Sequence, residues 1–253
     1  MTEPSPGLVV AMEQVEKSWV SADRRFTLQV ANFQLGAGEI IAVTGESGSG
    51  KSTFLELVGL VGQPDRADRF AIWDDSRPVD IMALHRTGNA AQLAALRAKR
   101  IGFVLQTGGL LPFLSVAANI ALAQELAGLE QDDAQAQRAA ILQRLDIAGA
   151  AQALPSALSI GQRQRAAIAR AMAHRPGLVL ADEPTAALDP LNKERVVDLL
   201  LHLAHDQGAA VIIATHEHAL FTKRKIEHAA IVIDSADPAP DHVRARLSRR
   251  SGP

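Results

Sequence analysis

The sequence Gly45-Glu46-Ser47-Gly48-Ser49-Gly50-Lys51-Ser52 decides the fold. It matches G-x-x-x-x-G-K-[ST] at every fixed position. It lies between an apolar, β-branched run at 40–44 and a helix-forming run that begins at Thr53. A strand, a glycine-rich loop and a helix in this order are the context in which the motif binds phosphate. We therefore predict a nucleoside-triphosphate site at this loop, rather than a turn that merely precedes a helix.

Each residue type in the loop has a chemical reason. Glycines let the backbone turn its N–H groups toward a phosphate chain, and the helix that follows adds its own free N–H groups. The Lys51 ammonium supplies a positive charge for the β- and γ-phosphates, and the Ser52 hydroxyl is an oxygen ligand for Mg²⁺. The ATP contacts predicted in this segment are Gly45, Glu46, Ser47, Gly48, Ser49, Gly50, Lys51, Ser52 and Thr53.

Composition narrows the class of protein. The chain has 253 residues, of which 47% are hydrophobic, so it can bury a core as one large α/β domain or two small ones. A net charge of −2 gives no electrostatic argument for binding nucleic acid. The chain has no cysteine, which excludes disulfides and cysteine-based metal sites.

Two segments bear on the membrane question. Residues 1–6 lack the basic and apolar regions of a secretory signal. Residues 101–124 carry no charge and are long enough to cross a bilayer, but Gln106, Pro112 and Asn119 interrupt them. We read this stretch as a strand, a loop and a helix of a water-exposed domain, so a membrane span would have to come from a partner.

Short apolar runs alternate with helix-forming segments along most of the chain. The runs at 101–105, 178–182 and 211–215 are typical of buried strands, and residues 115–152 repeat Ala, Leu and Ile at helical intervals. This alternation indicates a mostly parallel sheet with helices on both faces. We predict one domain at 1–238, with a core at about 1–106 and 172–238, a helical subdomain at about 107–171, and a basic tail at 239–253.

The predicted tail carries four arginines. Such a run of charge is usually solvated and mobile, and an anionic lipid surface is the alternative partner for it. The four residues are Arg244, Arg246, Arg249 and Arg250.

Polar residues follow several predicted strands directly. Gln106, Asp182 and His216 each come at a strand end, as the glycine-rich loop does. Because ligands of α/β sheets bind at the carboxyl ends of the strands, we expect these residues to converge on one phosphate site. Asp182 suits Mg²⁺, and Glu183 can polarise a water for attack on the γ-phosphate. Taken alone, the two acids would be read as strand-end residues that form salt bridges with basic side chains.

The segment Leu158-Ser159-Ile160-Gly161-Gln162 resembles the Leu-Ser-Gly-Gly-Gln signature of ATP-binding cassette (ABC) ATPases. Residues 178–185 resemble the Walker B motif of that family, 187–189 its D-loop and 215–217 its switch histidine, while Gln106 stands at its Q-loop. The motifs cover about residues 8–234 in family order. The resemblance implies an α/β P-loop NTPase with a RecA-like core, an N-terminal antiparallel β subdomain and an inserted α-helical subdomain.

The resemblance also implies roles for individual residues. Family members form a head-to-tail dimer in which ATP lies between the P-loop of one subunit and the signature of the other. In such a dimer Ser159, Gly161 and Gln162 would meet the nucleotide of the partner subunit, and Asp189 would communicate across the interface. Within the subunit, Glu183 would be the catalytic base, His216 would contact the γ-phosphate, and Gln106 would sense Mg²⁺ and link the site to the helical subdomain.

Two positions depart from the family pattern. Ile160 replaces the first signature glycine, and a β-branched residue is poorly suited to a backbone position that needs φ > 0 or a close phosphate. This departure predicts either slow hydrolysis or a dimer with a different cassette, although Glu183 and Lys51 still favour hydrolysis. The chain has no tyrosine to stack on adenine, and Trp19 stands at about the right distance before the loop. Ordinary packing is the alternative role for Trp19.

The run from Gln106 to Ile120 is similar to one group of ABC ATPases, which serves lipoprotein release, macrolide efflux and cell division. That similarity implies an ATPase subunit that drives separate membrane permease subunits from the cytoplasmic face of the cell membrane. The alternatives are a soluble ABC ATPase that acts on nucleic acid or ribosomes, and a P-loop kinase. The single P-loop and the lack of cysteines and long heptads argue against the first, and the signature argues against the second.

Overall fold

The structure is a computed structural model, which describes residues 7–21, 24–234 and 242–249. The chain divides into two compact units. Unit 1 comprises Met1–Ala94 and Ile212–Pro253, and unit 2 comprises Ala95–Val211. Residues 1–6, Asp23, the Pro-rich break at 237–240 and Arg250 lie outside the described residues.

The described residues form ten strands and eight α-helices. The strands are β1 Leu8–Ser21, β2 Arg24–Gly36, β3 Ile40–Thr44, β4 Arg69–Asp74, β5 Arg77–Asp80, β6 Ile101–Val104, β7 Leu178–Asp182, β8 Ala210–Thr215, β9 Glu227–Asp234 and β10 His242–Arg249. The helices are α1 Lys51–Val58, α2 Ile81–Arg86, α3 Ala90–Arg100, α4 Val116–Leu126, α5 Gln131–Arg144, α6 Ile160–Met172, α7 Pro190–Gln207 and α8 His218–Thr222.

Unit 1 is built on a mixed sheet in the order β5-β4-β1-β2-β10-β9-β3-β8. β1 and β2 are long antiparallel partners, whereas β3 runs parallel to β9. The side chains of β3 after Ile40 are buried, as expected for a strand covered on both faces. This arrangement places the segment that follows β3, which is the glycine-rich loop, at the carboxyl end of a buried strand.

Residues 242–249 form a strand, so the prediction of a mobile tail is wrong for them. β10 pairs in parallel with β2 and antiparallel with β9. Ala245 and Leu247 are buried, while Arg246 on the opposite face is exposed. The alternation of apolar residues with arginine is the period-2 pattern of a half-buried strand. The charges of Arg244 and Arg246 therefore belong to the outer face of a strand.

Unit 2 combines two parallel strands with the helices that pack on them. β6 and β7 pair in register from Ile101 with Leu178 to Val104 with Ala181. α4, α5 and α6 occupy the region predicted to be helical, and α6 also packs on β6 and α7. Because of that packing, unit 2 includes strands and α7 as well as the predicted insertion. The predicted bounds of the insertion, 107–171, stay a prediction.

The uncharged stretch at 101–124 forms β6, a loop and most of α4, as predicted. Among the described residues, none of the helices has both the length and the apolar character needed to cross a membrane. The predicted α/β architecture of a P-loop NTPase is confirmed, since the structure shows the strand–loop–helix unit of β3 and α1 within a mixed sheet.

Candidate functional site

The glycine-rich loop is shaped by glycines that no other residue could replace without movement. A Cβ at Gly45 would lie 2.5 Å from Ser49 Oγ and 2.8 Å from the carbonyl oxygen of Ile231. Gly50 has φ +104°, and a Cβ there would lie 2.8 Å from Phe26 Cζ. Gly48 has φ +76°, but the space that its Cβ would enter is open to 4 Å among the described residues. The loop is thus closed toward the protein and open on the side of Gly48.

Lys51 is buried, and its ammonium lies inside the loop. Nζ donates hydrogen bonds to the carbonyl oxygens of Gly45 and Glu46, each at 2.9 Å. A buried cation is costly without such partners, so these carbonyls hold the charge where phosphate oxygens would meet it. This observation supports the role predicted for Lys51.

His216 lies beside the loop within unit 1. Its Nδ1 is 3.5 Å from Lys51 Nζ. The turn that presents it is fixed by Thr215, whose buried hydroxyl accepts a hydrogen bond from the Glu217 N–H at 3.0 Å. Gly45, Glu46 and His216 line a cavity of about 640 Å³, within the usual size range of ligand pockets. The structure therefore brings together the predicted residues of the loop and the switch histidine.

Trp19 is 37% exposed and stands near the end of β1. Its ring is 6.2 Å from that of Phe26, its partner in the β1–β2 register. Because Phe26 also lies against Gly50, one aromatic contact connects Trp19 to the phosphate-binding loop. On the other side, Lys17 Nζ lies 5.3 Å from the Trp19 ring centroid and is paired with Asp65 at 2.9 Å.

The acidic pair lies in unit 2. Asp182 ends β7, and Glu183 follows with φ +45°, a left-handed conformation that is strained for a non-glycine residue. A hydrogen bond from the Ala186 N–H to the Glu183 carbonyl oxygen, 3.1 Å, fixes the turn. Gln106 follows the neighbouring strand β6 and is exposed. By the register of β6 with β7, Gln106 and Glu183 stand at the same level of adjacent strand ends.

The signature begins α6. The Ser159 hydroxyl accepts from the Gln162 N–H at 3.2 Å, and the Gln162 side chain accepts from the Ser159 N–H at 3.0 Å. This capping box satisfies two of the free N–H groups of the helix. Ile160 is the first helical residue, is not among the residues with positive φ, and is 57% exposed. The backbone of Ile160 therefore does not adopt a conformation that requires glycine, whereas a conflict between its side chain and a close phosphate stays a prediction.

Gly161 has no neighbour among the described residues of its own chain that requires a glycine. A Cβ there would meet only the side chain of Asn192, at 3.8 Å, which is an ordinary contact. Asp189 caps α7, since its carboxylate accepts from the Asn192 N–H at 3.1 Å and from its side-chain amide at 2.6 Å. The Asn192 side-chain bond is the main reason that the pKa of Asp189 lies below its ordinary range. Asp189 thus has a structural role within the chain besides the one predicted across a dimer.

Sequence reasoning misses two residues that shape the site. The sequence indicates only a strand at Phe26, although Phe26 packs on Gly50 of the loop. Asn119 is 1% exposed and fixes the segment after Gln106. Its side-chain oxygen accepts a hydrogen bond from the Leu111 N–H at 2.7 Å. Its side-chain amide donates to the carbonyl oxygens of Leu111, Leu114 and Ser115 at 3.0–3.1 Å. A polar residue inside an apolar helical run is the signal that could have found Asn119.

The residues of the loop fit a Mg²⁺–nucleotide. Gly45 and Gly50 form a cradle that a Cβ would fill, and the Ser49 hydroxyl is buried with no hydrogen-bond partner among the described residues. Ser52 is an exposed residue in the first turn of α1. No group of three or more His, Asp or Glu residues that could hold a metal occurs in the part of the chain that the structure describes. Mg²⁺ in such sites is held by few protein ligands together with phosphate oxygens and waters.

These features define a P-loop ATPase, and the family profile described as "ABC transporter" matches residues 28–186. The chain belongs to the ABC transporter family. Within that family it is a subunit of the kind that binds and hydrolyses ATP.

Relatives with assigned names agree with the predicted group. The chain is 36% identical to the macrolide export ATP-binding/permease protein MacB 2 of Aeromonas hydrophila subsp. hydrophila over 218 residues, which are 86% of this chain and 32% of the relative. It is 37% identical over 193 residues to the lipoprotein-releasing system ATP-binding protein LolD of Hyphomonas neptunium, 76% of this chain and 81% of that relative. The chain therefore spans about a third of the first relative and most of the second.

Solved structures support the same fold. The dimeric, post-hydrolysis state of the ATP-binding cassette MJ0796 bound to ADP and Pi is 27% identical and has a TM-score of 0.74, with 96% of this chain and 99% of that chain covered. A second dimeric structure of MJ0796 has a TM-score of 0.76 at the same identity. The predicted family, its subgroup and the ATPase activity are confirmed, and the alternatives of a nucleic-acid ATPase and a kinase are not supported.

Proposed function

We propose that the ATP site of this chain is completed by the signature of a second cassette, so that hydrolysis requires a head-to-tail dimer. The observation that carries this proposal is Gly161. It lies in the first turn of a capped helix, without a positive φ and without a close neighbour among the described residues of its own chain. A glycine that its own chain does not require suits close approach by an outside group, and a helix N-terminus favours an anion. The γ-phosphate held by the P-loop of the partner subunit meets both conditions.

In this dimer the P-loop binds the phosphate chain. Lys51 exchanges its bonds to the Gly45 and Glu46 carbonyls for bonds to phosphate oxygens. Ser159, Gly161 and Gln162 of one subunit approach the γ-phosphate bound by the other, and Asp189 keeps the adjacent N-terminus of α7 ordered. A second copy of this chain is the simplest partner.

Glu183 acts as the general base. The turn to Ala186 fixes its left-handed backbone at the end of β7. Glu183 accepts the proton of the attacking water, while His216 contacts the γ-phosphate and orients that water. Ser52, Gln106 and Asp182 would hold Mg²⁺, which supplies charge neutralisation at the phosphates when bound.

Trp19 is proposed to stack on adenine. It is partly exposed, its ring lies 6.2 Å from that of Phe26, and the Phe26 ring in turn lies against Gly50 of the loop. A Trp ring offers a large flat surface for a nucleobase. If Trp19 instead has only a packing role, Trp19→Ala should change stability. The ratio of the affinity for adenosine triphosphate to that for guanosine triphosphate should then be the same in the variant and the wild type.

We further propose that the cassette drives separate integral membrane permease subunits and is peripheral on the cytoplasmic face of the membrane. The LolD relative is an ATP-binding protein of a lipoprotein-releasing system, and this chain spans 81% of it. The name of the MacB relative joins an ATP-binding part and a permease in one protein. Phe113 is exposed in the segment after Gln106, where a permease helix would dock. Nucleic acid is not expected as a partner.

Subunit mixing tests the composite site. Lys51→Ala disables the P-loop, and Gly161→Asp places a carboxylate where the signature meets phosphate, so each variant alone should be inactive. In an equal mixture, heterodimers carry one site with both defects and one site with none. ATPase activity should then recover to about a quarter of wild type, since half of the dimers contain one intact site. No recovery, although each variant is folded and the two exchange subunits, would mean that the site is not shared.

Glu183→Gln tests the base. This variant should bind ATP as the wild type does, while hydrolysis falls by about 10²- to 10⁴-fold. Wild-type turnover would remove Glu183 from the role.

Affinity capture of the tagged chain from membranes tests the permease partner, and recovery of nucleic acid or ribosomes without a membrane protein would contradict it.

A further inference from the structure

One face of α6 lies against β6 and the turn that carries Gln106. Arg163, Ala167, Arg170 and Ala171 are spaced i, i+4, i+7 and i+8, so they share one side of the helix. All of these residues, with β6 and the turn, belong to unit 2. The helix that begins at the signature therefore touches β6 and the segment that follows it along most of its length.

Glycines bring this helix and the strand into direct contact. A Cβ at Gly102 in β6 would overlap the Ala171 carbonyl oxygen, so only glycine permits this approach. A Cβ at Gly108 would be in van der Waals contact with Arg163 Cγ at 3.6 Å and Ala167 Cβ at 3.7 Å. At Gly102 the backbone of β6 therefore lies directly against the backbone of α6.

Arg170 fastens the turn to the helix. Its guanidinium donates a hydrogen bond through Nη1 to the Gly109 carbonyl oxygen, and Nη2 lies 3.5 Å from the Gly108 carbonyl oxygen. Gly108 and Gly109 have φ values of +77° and +60°. Residues with side chains rarely adopt this backbone conformation, which here directs both carbonyl oxygens toward Arg170. A Cβ at Gly109 would lie 2.8 Å from Leu105 Cδ1, so a larger residue there would require the Leu105 side chain to move.

The same turn positions Gln106. The Gly108 N–H donates to the Leu105 carbonyl oxygen at 2.8 Å, which makes Leu105–Gly108 a β-turn with Gln106 in its second position. Beyond the turn, Asn119 fixes Leu111 and Leu114. The segment is thus held at two points, by Arg170 on α6 and by Asn119 on α4, and Arg170 is the one that stands on the signature helix itself.

We propose that Arg170 is a positioning residue for ATP hydrolysis: it ties the Gln106 turn to the signature helix, so that Gln106 and Ser159 move as one body. From Ile160 to Arg170 the helix rises about 15 Å, which is a short rigid link. A change at Gln106 therefore displaces the signature without passing through a flexible loop. This inference rests on the proposed roles of Gln106 and Ser159.

A double-mutant cycle tests the link. Arg170→Met keeps the length of the side chain and removes both donors, and Gln106→Ala removes the group that Arg170 is proposed to place. Each single variant should lower kcat by about tenfold to 100-fold, because small misplacements of catalytic groups have effects of this size. The ATP dissociation constant should stay within about twofold, since the P-loop contacts are unchanged. The double variant should be no slower than the slower single variant.

Two further variants separate positioning from stability. Arg165→Met is the matched control, because Arg165 lies on the same helix and donates to backbone carbonyls of Leu145 and Asp146, away from the Gln106 turn. Arg165→Met should lower the melting temperature. Its effect on kcat should be independent of Gln106→Ala, so that the two effects multiply in the double variant. Arg170→Lys keeps the charge and one donor direction, so it should recover part of kcat, and it replaces Arg170→Met in the cycle if the latter does not fold.

The outcomes are distinguishable. If the effects of Arg170→Met and Gln106→Ala multiply, as those of the Arg165 control should, Arg170 is only structural and the inference is overturned. If Gln106→Ala alone leaves kcat unchanged, the proposed role of Gln106 is wrong, and the positioning role of Arg170 is overturned with it. Failure of the subunit-mixing experiment would instead contradict the shared site, while non-additivity between Arg170 and Gln106 would still be measurable.

Discussion

The phosphate-binding loop and the signature both depend on glycine, but the glycines have different neighbours. Gly45 and Gly50 are enclosed by atoms of their own chain, which would lie 2.5 Å and 2.8 Å from a Cβ placed at those positions. For a Cβ at Gly161, the nearest described atom outside its chain neighbours and the adjacent backbone of α6 would be 3.8 Å away. The loop is therefore shaped from inside the molecule, whereas the signature keeps a space that its own fold does not use. In the proposed dimer, this difference separates the half of the ATP site that one subunit completes from the half that needs a second subunit.

The two segments also treat polar groups differently. Lys51 in the loop is buried and held by two carbonyls, so its charge is already positioned in the isolated chain. Ser159 and Gln162 satisfy each other in a capping box at the surface. The loop is prepared for a ligand by internal contacts, and the signature by a stable helix end.

The largest expected effect is that of Lys51→Ala on nucleotide binding. Charge-assisted hydrogen bonds to phosphate contribute roughly 1.5–3 kcal/mol each, so the affinity for ATP should fall about 100-fold or more. Equilibrium binding of a fluorescent ATP analogue measures this. Lys99→Ala, a change at a lysine of α3, is the control and should bind normally. Near-normal affinity of Lys51→Ala would contradict the assignment of the loop.

The stability of the protein should depend on pH through one buried histidine, His174. Burial lowers the pKa of His174, which follows α6, to about 4. Between about pH 6.5 and 4 the unfolded chain binds this proton and the folded chain does not, so stability should fall as pH falls through that window. At about pH 5 the loss is about 2 kcal/mol, and His174→Gln should remove it. Urea unfolding of both proteins at about pH 7.5 and about pH 5 measures the difference, and equal pH dependence of the two would exclude His174.

The paired variants Gly45→Ala and Gly161→Ala sharpen the comparison most directly. Gly45→Ala should lower stability by about 1–3 kcal/mol, because the new methyl group overlaps Ser49 and Ile231. Gly161→Ala should leave stability unchanged or raise it by about 0.5 kcal/mol, since alanine favours helix, and yet should lower ATPase activity. Thermal unfolding and steady-state hydrolysis measure both. A destabilised Gly161→Ala would show that the fold itself requires that glycine.

The smallest expected effect is that of Ile160→Gly. Ile160 is exposed at the start of α6, where the proposed dimer brings in phosphate, so its removal should raise ATPase activity about fivefold if it crowds that space by roughly 1 kcal/mol. Leu126→Gly, which removes another exposed side chain of a unit 2 helix, is the control. An unchanged or lower rate would mean that the site is adapted to isoleucine.

Much of the site is readable from the sequence because its motifs are local. The loop, Asp182 with Glu183, and His216 each lie at the end of an apolar strand, and the position of Ser159 before a helical run predicts that it caps α6. The capping box shows that this local signal is correct. The strain at Glu183 is not predictable, because a positive φ at a non-glycine residue is imposed by the surrounding turn.

The residues that sequence reasoning misses depend on contacts between distant segments. Arg170 is one of several arginines in a helix, and its bond to Gly109 joins positions 61 residues apart. Phe26 reaches Gly50 only because β2 lies in the same unit as the loop. The sequence of β10 predicts a tail because its arginines outweigh the alternation of Val243, Ala245 and Leu247. Charge and local propensity do not reveal which neighbour a segment will find.

The position of β10 has a consequence for how the protein is made. β2 is among the first strands to be synthesised, and its neighbour β10 lies about 200 residues later in the chain. Until residues 242–249 emerge, β2 and β9 each lack the strand that separates them, and both present open edges to other chains. A chain that stops at Asp234 would retain every motif of the ATP site and still leave those edges unpaired. Such a truncation should therefore fail through aggregation during synthesis, before any question of catalysis arises.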